Sequence, residues 1–288
     1  MVEDAAVTVT GTGVLRVLGA RDLPALRTLL DRDPVAHCFV ASRLVAAGAD
    51  AWALGGGIWG WYDDRALVSA LYVGANLVPV ETTPAARLAF ADRARRTGRR
   101  CSSIVGPAAD VLPLWEQLAA AWGPAREVRA CQPLMALASA PHVPVDHEVR
   151  RVRPDELDVL LPACVAMFTE EVGVSPVEGG AGAAYRARIA ELIRTGRAFA
   201  RIEDGEVVFK AEIGAVSPGV AQVQGVWVTP SRRGEGLSLG GMAAVVDIVR
   251  ASLAPVVQLY VNDYNTVARR SYRTVGFDDV GVFATVLF

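Results

Sequence analysis

The C-terminal half of the chain shows two hydrophobic periods, one typical of helices and one typical of strands. Apolar side chains fall on one broad face over residues 154–172 and again over 183–195, which predicts two amphipathic helices. Runs rich in β-branched residues predict strands at 197–203, 206–216, 221–228, 256–261 and 280–288. Further helices are predicted from about 235 to 252 and from Asn265 to Val275. The resulting order is β-α-α-β-β-β-α-β-α-β, an α+β fold with an α/β sheet of mixed direction.

The N-terminal half begins and ends with the same kinds of element. A short strand at 14–17 and another at 149–152 each precede an acidic helix start. A helix at 114–121 leads into a strand at 128–137, as the last helix of the chain leads into its last strand. Two interpretations stay open, a duplicated unit whose copies have diverged and a chance similarity of two α/β halves.

The length and composition are sufficient for two domains with a core each. The chain has 288 residues, of which 52% are hydrophobic and 21% are charged. The Ala- and Pro-rich segment 136–148 lacks a helical period and is predicted to be the linker. We therefore predict one domain at residues 1–140 and a second at 148–288.

Charge and hydropathy exclude several classes of protein. The net charge of -2 argues against a nucleic-acid-binding protein, which usually has a basic excess. Charges, Gly or Pro interrupt every apolar stretch well before about 18 residues, so no membrane span is expected. Residues 1–13 carry acids and no apolar core, so they are not expected to be a secretory signal. A cytoplasmic location is the expectation, and the sequence does not indicate an oligomeric state.

The cysteines and histidines show no metal-binding pattern. The four cysteines, Cys38, Cys101, Cys131 and Cys164, form no C-x-x-C pair, and the three histidines add no ligand spacing to them. We expect buried, reduced cysteines and no metal.

Lys210 is the single lysine among 29 basic residues. Arginine-rich codon usage is one explanation, and a requirement for a compact ammonium group at this position is the other. Lys210 and Glu212 share one face of a predicted strand, because side chains alternate with a period of two.

The stretch from Val226 to Ser238 is the strongest candidate for a ligand site. A strand runs into a loop with two glycines, Gly234 and Gly236, and then directly into an apolar helix. Glycines let backbone N–H groups turn toward an anion, and the helix N-terminus adds positive charge, so the loop suits a pyrophosphate. A Walker loop would need a Gly-Lys pair, and the dinucleotide pattern needs a third glycine, where this chain has Leu239.

The loop from Arg233 to Ser238 resembles the signature of the Gcn5-related N-acetyltransferase (GNAT) superfamily, which is Arg or Gln, two residues, Gly, one residue, Gly or Ala. Ser238 departs from the final Gly or Ala. The segment from Asn265 to Phe277 is similar to a second motif of the superfamily, N-x-x-A-x-x-x-Y-x-x-x-G-F. Asn265 and Gly276 also suit the two ends of a helix. The resemblance covers about residues 148–288.

The whole chain resembles two-domain bacterial members of the superfamily whose N-terminal half is a domain of unknown function. The segments 33–44, 74–80 and 132–134 carry this likeness. Residues 78–84 occupy the place of the cofactor loop and contain no glycine pair. The resemblance thus implies a tandem acyl-CoA N-acyltransferase fold with a degenerate N-terminal copy.

The resemblance also implies the cosubstrate, acetyl-CoA, and its contacts. The backbone of Val226 and Val228 would bind the pantetheine arm, and Asn265 would contact it as well. The pyrophosphate would lie on the loop, whose binding residues would be Arg233, Gly234, Gly236, Leu237 and Ser238. Tyr272 would lie near the sulfur. The acceptor amine would attack the thioester directly in a ternary complex without a metal.

The acid and base are proposed from the residue types present. Glu171, at a predicted helix end, and Glu212, on a strand, are equally ranked candidates for the general base. Tyr272 is expected to act mainly as a hydrogen-bond donor to sulfur, because a phenol is a weaker acid than a thiol. The acceptor is a primary amine of unknown identity. A non-catalytic acyl-CoA-binding regulatory module and a transferase for another acyl-CoA are the alternatives.

Overall fold

The structure is a computed structural model that describes residues 8–10, 13–47 and 55–288. The expectation that no secretory signal is present rests on residues 1–13, most of which lie outside this described part. The chain forms two compact units, one of residues 1–134, 260–264 and 279–288 and the other of residues 135–259 and 265–278. The domain limits 1–140 and 148–288 stay a prediction.

The first unit is built around a sheet that contains both antiparallel and parallel pairs of strands. Its elements are β1 Thr8–Thr10, β2 Gly13–Val17, α1 Leu23–Leu30, α2 Cys38–Ala47, β3 Gly56–Asp63, β4 Ala66–Gly74, β5 Asn76–Val80, α3 Pro84–Thr97, β6 Ser103–Pro107, α4 Ala108–Trp122 and β7 Glu127–Leu137. Strands β1 to β5 are antiparallel neighbours in chain order, and β5 is parallel to β6. The last strand of the chain, β13 Asp278–Leu287, pairs antiparallel with β6.

The second unit contains nearly the same succession of elements, without a counterpart of β1 or of the closing strand. These are β8 Arg150–Arg151, α5 Leu157–Val172, α6 Gly182–Arg194, β9 Ala198–Glu203, β10 Glu206–Val216, β11 Val220–Val228, α7 Leu237–Ser252, β12 Val256–Tyr260 and α8 Thr266–Val275. Strands β8 to β11 are antiparallel neighbours, and β11 is parallel to β12. The predicted α+β fold and the predicted order of elements are confirmed.

Both units begin with the same charged contact. Arg16 and Asp22 form an ion pair of 2.6 Å, and Arg150 and Glu156 form one of the same length at the same spacing. Each carboxylate also accepts a hydrogen bond from the backbone N–H three residues before it, at 2.9 Å and 2.8 Å respectively. The similarity of the two halves in sequence is therefore also a similarity of local structure, which favours the interpretation as diverged copies.

The alternation of side chains along β10 determines which helix covers each face of the second unit's sheet. Phe209 points to α7, where its ring lies within 2.8 Å of the position that a Cβ on Gly241 would take. Glu212 points the other way, and its carboxylate lies 3.5 Å from the sulfur of Cys164 on α5. Helices α5 and α7 therefore cover opposite faces of β10.

The cysteines depart in one respect from the expectation. All four lie in the described residues and none forms a disulfide; Cys38, Cys101 and Cys164 are buried, but Cys131 is exposed. The prediction of burial is wrong for Cys131 because the first residues of β7, from Glu127 to Cys131, are largely exposed. Within the described residues, no group of three or more His, Cys, Asp or Glu is arranged to hold a metal ion. No helix in this part of the chain is long and apolar enough to cross a bilayer.

Candidate functional site

The central feature of the second unit is the early separation of two parallel strands. Both strands are fully described, and the pairing joins only residues 220–222 of β11 to residues 256–258 of β12. Strand β11 continues for six residues to Val228, and its side chains become half-exposed from Gln224 onward. A strand with a free edge offers its backbone N–H and C=O groups to a ligand. Val226 and Val228 lie on this stretch, within the strand predicted at 221–228.

The glycine-rich loop follows directly from the free stretch of β11. Gly234 and Gly236 have φ angles of +89° and +81°, which residues with a side chain rarely adopt. No atom lies within 4 Å of the position that a Cβ would take on either glycine. Gly236 is the N-cap of α7 and supplies no side chain to the first helical turn, so the amide groups there remain available to an anion. This arrangement fits a pyrophosphate.

The corresponding helix end in the first unit is already satisfied by the protein. Thr83 is the N-cap of α3, and its Oγ1 accepts a hydrogen bond from the N–H of Ala86 at 3.2 Å. The Oδ1 of Asp110 accepts hydrogen bonds from the N–H and hydroxyl of Thr82 at 2.9 Å and 2.5 Å. Strands β5 and β6 also separate early, since Asn76 and Leu77 are the residues of β5 that pair with β6. The first unit thus has the strand separation but uses its own side chains where an anion would bind.

Arg233 lies at the start of the loop but is held by the protein. Its Nη2 donates to Oε2 of Glu170 at 2.7 Å, and its Nε donates to the carbonyl of Val228 at 3.1 Å. The indole N–H of Trp227 donates to the same carboxylate oxygen of Glu170 at 3.3 Å. The guanidinium of Arg233 consequently lowers the pKa of Glu170. These contacts connect the loop to the end of α5.

The two residues predicted on α8 both have structural partners. Asn265 is the N-cap, and its Oδ1 accepts the N–H of Ala268 at 3.1 Å. Tyr272 is only 7% exposed and packs edge to face on Phe277, with the ring centres 6.0 Å apart. Burial raises the pKa of Tyr272, and the negative charge of Glu171 raises it further. The carboxylate of Glu171 therefore acts electrostatically on the Tyr272 hydroxyl.

The two candidate bases lie in different environments. Glu171 is exposed near the end of α5. Glu212 is 3% exposed, and its Oε1 lies 2.5 Å from Nζ of Lys210, which is fully buried. The prediction that Lys210 and Glu212 share a face is confirmed by this contact. No pattern in the sequence indicated that Cys164 and Gln224 also contact Glu212. The isolated Gly225 within a strand was the one available signal of an irregularity there.

Comparison with known protein families agrees with this geometry. Residues 169–277 match the family model described as "Acetyltransferase (GNAT) family", and residues 56–160 match "Domain of unknown function (DUF4081)". No curated protein sequence matches the chain. The second half of the chain therefore carries a domain of the acetyltransferase (GNAT) family, and the first half matches the domain of unknown function.

Several solved structures share the fold over almost the whole chain. A GNAT-family acetyltransferase from Colwellia psychrerythraea is 12% identical with a TM-score of 0.55, over 95% of this chain and 99% of that one. A GCN5-related N-acetyltransferase from Sphaerobacter thermophilus is 19% identical with a TM-score of 0.55, over 97% of each chain. A tandem GNAT protein from the clavulanic acid biosynthesis pathway is 17% identical with a TM-score of 0.51, over 96% of this chain and 98% of that one. These likenesses establish the tandem fold.

Proposed function

We propose that the second unit transfers the acetyl group of acetyl-CoA to a primary amine by direct attack in a ternary complex. The observation that carries this proposal is the pair of positive-φ glycines, Gly234 and Gly236, at the uncapped N-terminus of α7. This anion site directly continues the free stretch of β11. Membership of the acetyltransferase family supports acyl transfer from a coenzyme A thioester.

The residues present provide the contacts that such a cosubstrate needs. The backbone of Val226 and Val228 would hold the pantetheine arm, and the amides from Gly234 to Ser238 would hold the pyrophosphate. Arg233 would add positive charge once it exchanges Glu170 for a phosphate oxygen. Asn265 already uses Oδ1 as a helix cap, so its amide NH2 group is the part that would contact the pantetheine. When bound, acetyl-CoA supplies an activated acyl thioester.

The proton steps are assigned to carboxylates and a phenol of this chain. An amine nucleophile must lose a proton, and Glu171 and Glu212 are the two candidate bases. Tyr272 holds its proton firmly, since burial and the charge of Glu171 both raise its pKa. It would therefore stabilise the departing sulfur as a hydrogen-bond donor rather than by full proton transfer. Burial raises the pKa of Cys164 to about 12, so this residue stays a thiol and is a poor acyl acceptor.

The first unit is proposed to bind no coenzyme A. Thr83 and Asp110 already accept the hydrogen bonds of the amides that a pyrophosphate would need. A diphosphate close to Asp110 would also be repelled by its carboxylate. The expected stoichiometry is thus one cosubstrate per chain.

Two measurements test the proposal. Titration calorimetry with coenzyme A should give one binding site per chain, and an assay of thiol release with acetyl-CoA should show turnover with members of a panel of primary amines. No heat of binding to folded protein would refute the site. Binding without turnover for any amine would instead favour a regulatory module that senses acyl-CoA. Faster turnover with a longer acyl-CoA than with acetyl-CoA would overturn the acetyl assignment.

A further inference from the structure

The buried ion pair of Lys210 and Glu212 is an unusual feature for the centre of a sheet. Lys210 has no exposed surface, and its Nζ lies 2.5 Å from Oε1 of Glu212, which is 3% exposed. Burying two charges is costly unless the geometry and further hydrogen bonds compensate. A chain with a single lysine among 29 basic residues keeps that lysine at this position. A pair with only a stabilising role could be replaced by apolar residues, so its retention indicates a further role.

Both oxygens of the Glu212 carboxylate are occupied. Besides Lys210, the thiol of Cys164 donates to Oε1 at 3.5 Å. The amide of Gln224 donates to Oε2 at 3.4 Å. Neither oxygen of Glu212 is therefore left without a protein partner, as an incoming amine would require.

The ion pair lies directly beneath an irregularity in β11. In the register of the two strands, Lys210 lies opposite Trp227 and Glu212 lies opposite Gln224. An advance of two residues along β10 therefore corresponds to three residues along β11. The extra residue forms a β-bulge at Gly225 and Val226, and Gly225 has a φ angle of +59°.

The space over the bulge is filled by the charged pair together with Met167, whose Cε lies 3.0 Å from the position that a Cβ on Gly225 would take. A Cβ on Gly225 would lie 3.3 Å from Nζ of Lys210 and 3.4 Å from Cδ of Glu212. Gly225 lies between Gln224 and Val226 on the free stretch of β11, where the residues are half-exposed. The charged groups thus lie beneath the backbone segment that would hold the pantetheine arm and leave no room for a side chain at Gly225.

We propose that Lys210 is a positioning residue, which holds Glu212 against the bulge at Gly225 and thereby fixes the backbone of β11 for the cosubstrate. The proposal rests on the proposed function of the second unit. It also divides the roles of the two glutamates, because Glu212 becomes part of this support and Glu171 is left as the general base. Glu171 is exposed, whereas both carboxylate oxygens of Glu212 are engaged by Lys210, Cys164 and Gln224.

The decisive variant replaces both charges by apolar side chains of similar size, Lys210→Met with Glu212→Leu. If the pair only stabilises the fold, this double variant should keep the wild-type melting temperature, KM and kcat. The proposal expects a melting temperature within a few degrees of wild type. It also expects the Kd for coenzyme A and the KM for acetyl-CoA to rise at least tenfold, with a smaller change in kcat. An unchanged Kd in the folded double variant would overturn the proposal.

Glu212→Gln provides a second test that does not depend on folding of the double variant. Its amide oxygen can still accept a hydrogen bond from Lys210 and keep the contact beneath the bulge, so a milder rise in Kd of about threefold to tenfold is expected. Loss of the counter-charge of the buried Lys210 should lower the melting temperature more than in the double variant. The acidic limb of the pH profile of kcat/KM should persist in Glu212→Gln and disappear in Glu171→Gln. Loss of that limb in Glu212→Gln would make Glu212 the base and refute the division of roles. Absence of coenzyme A binding in the wild type would refute the proposed function itself, which is a separate outcome.

Discussion

Arg233 and Glu170 form an ion pair in which Nη2 lies 2.7 Å from Oε2, and the pair joins the glycine-rich loop to the end of α5. The side chains of Arg233 and Glu170 are 45% and 51% exposed, so the pair contributes no more than about 1 kcal/mol. A bound pyrophosphate would compete with Glu170 for the same guanidinium. The pair therefore opposes cosubstrate binding weakly.

Glu170→Gln should strengthen the binding of coenzyme A by less than about fivefold, since 1 kcal/mol corresponds to about that factor. Titration calorimetry gives the Kd directly. Arg233→Gln is the matched variant on the other partner and should weaken binding, because it removes a charge that the phosphate needs. Weaker binding in Glu170→Gln would show that the ion pair shapes the loop rather than competing with the ligand.

Gly236→Ala should weaken coenzyme A binding at least about tenfold. A residue with a Cβ is strained at a φ of +81° by about 1–2 kcal/mol, and relief of that strain would turn the loop amides away from the ligand. Gly205→Ala is a close control, because Gly205 has a φ of +79° in an exposed hairpin and open space around its Cβ position. Both variants should lose similar stability in urea unfolding, but the control should keep the wild-type Kd. Equal Kd values in the two variants would count against a role for the loop backbone.

The sequence was sufficient to predict the succession of elements in the second unit and the position of the glycine-rich loop between β11 and α7. These features are local, because a helical or strand period and a glycine pair depend on neighbouring residues. The face shared by Lys210 and Glu212 was predictable for the same reason, since no irregularity falls between them on β10.

Features that depend on strand partners were not predictable. The period of two cannot reveal that an extra residue at Gly225 brings Gln224 opposite Glu212, because the register of β11 is set by its neighbour. The strand at 280–288 was recognised, but its pairing with β6 depends on contacts between residues far apart in the chain. The occupied helix end in the first unit could be inferred only in part. The absence of a glycine pair was visible, whereas the hydrogen bonds from Thr82 to Asp110 join residues on different elements.

Tyr272→Phe should lower kcat by about 10- to 100-fold while the Kd for coenzyme A stays within about twofold, since the phenol is needed only where charge develops on sulfur. The ring would keep its contact with Phe277, so the fold should be unaffected. Burial, and then Glu171, raise the pKa of Tyr272, so the wild-type rate should show no alkaline decline from this group up to about pH 10. A kcat profile from pH 6 to 10 tests this. A wild-type rate that falls near pH 9 and becomes flat in the Phe variant would contradict the assignment.

The four thiols should differ strongly in reactivity toward Ellman's reagent at pH 8. Cys131 is exposed and should react fast, with one equivalent per native chain. Cys38, Cys101 and Cys164 are buried, and burial raises the pKa of Cys164 to about 12. Cys131→Ser should therefore abolish the fast phase, while unfolding in urea should release all remaining thiols. A fast phase that survives in Cys131→Ser would show that a buried thiol is accessible through local opening.

Glu156→Gln should reduce stability in a pH-dependent way. The side-chain hydrogen bond from Arg150 is the largest cause that lowers the pKa of Glu156, from 4.5 to about 2. At a pH between these two pKa values, Glu156 is protonated in the unfolded state but ionised in the folded state. The stabilisation is consequently complete above about pH 4.5 and is lost as the pH falls through 2. Because Arg150 is 42% exposed, the effect at pH 7 is discounted to about 1–2 kcal/mol.

Urea unfolding of the wild type and of Glu156→Gln at pH 7, 5, 4 and 3 measures this difference directly. The free energies of unfolding should differ by about 1–2 kcal/mol at pH 7 and 5, and the gap should narrow toward pH 3. Glu191→Gln is a suitable control, because Glu191 pairs with Arg194 on the exposed surface of α6 and its replacement should leave stability nearly unchanged. A gap that stays constant with pH would mean that the glutamine side chain is a poor hydrogen-bond acceptor for the N–H of Arg153, and that the charge of Glu156 matters little. The contact shared by both units would then act mainly by ending β2 and β8 and starting α1 and α5, and Asp22→Asn should show the same constant difference in the free energy of unfolding.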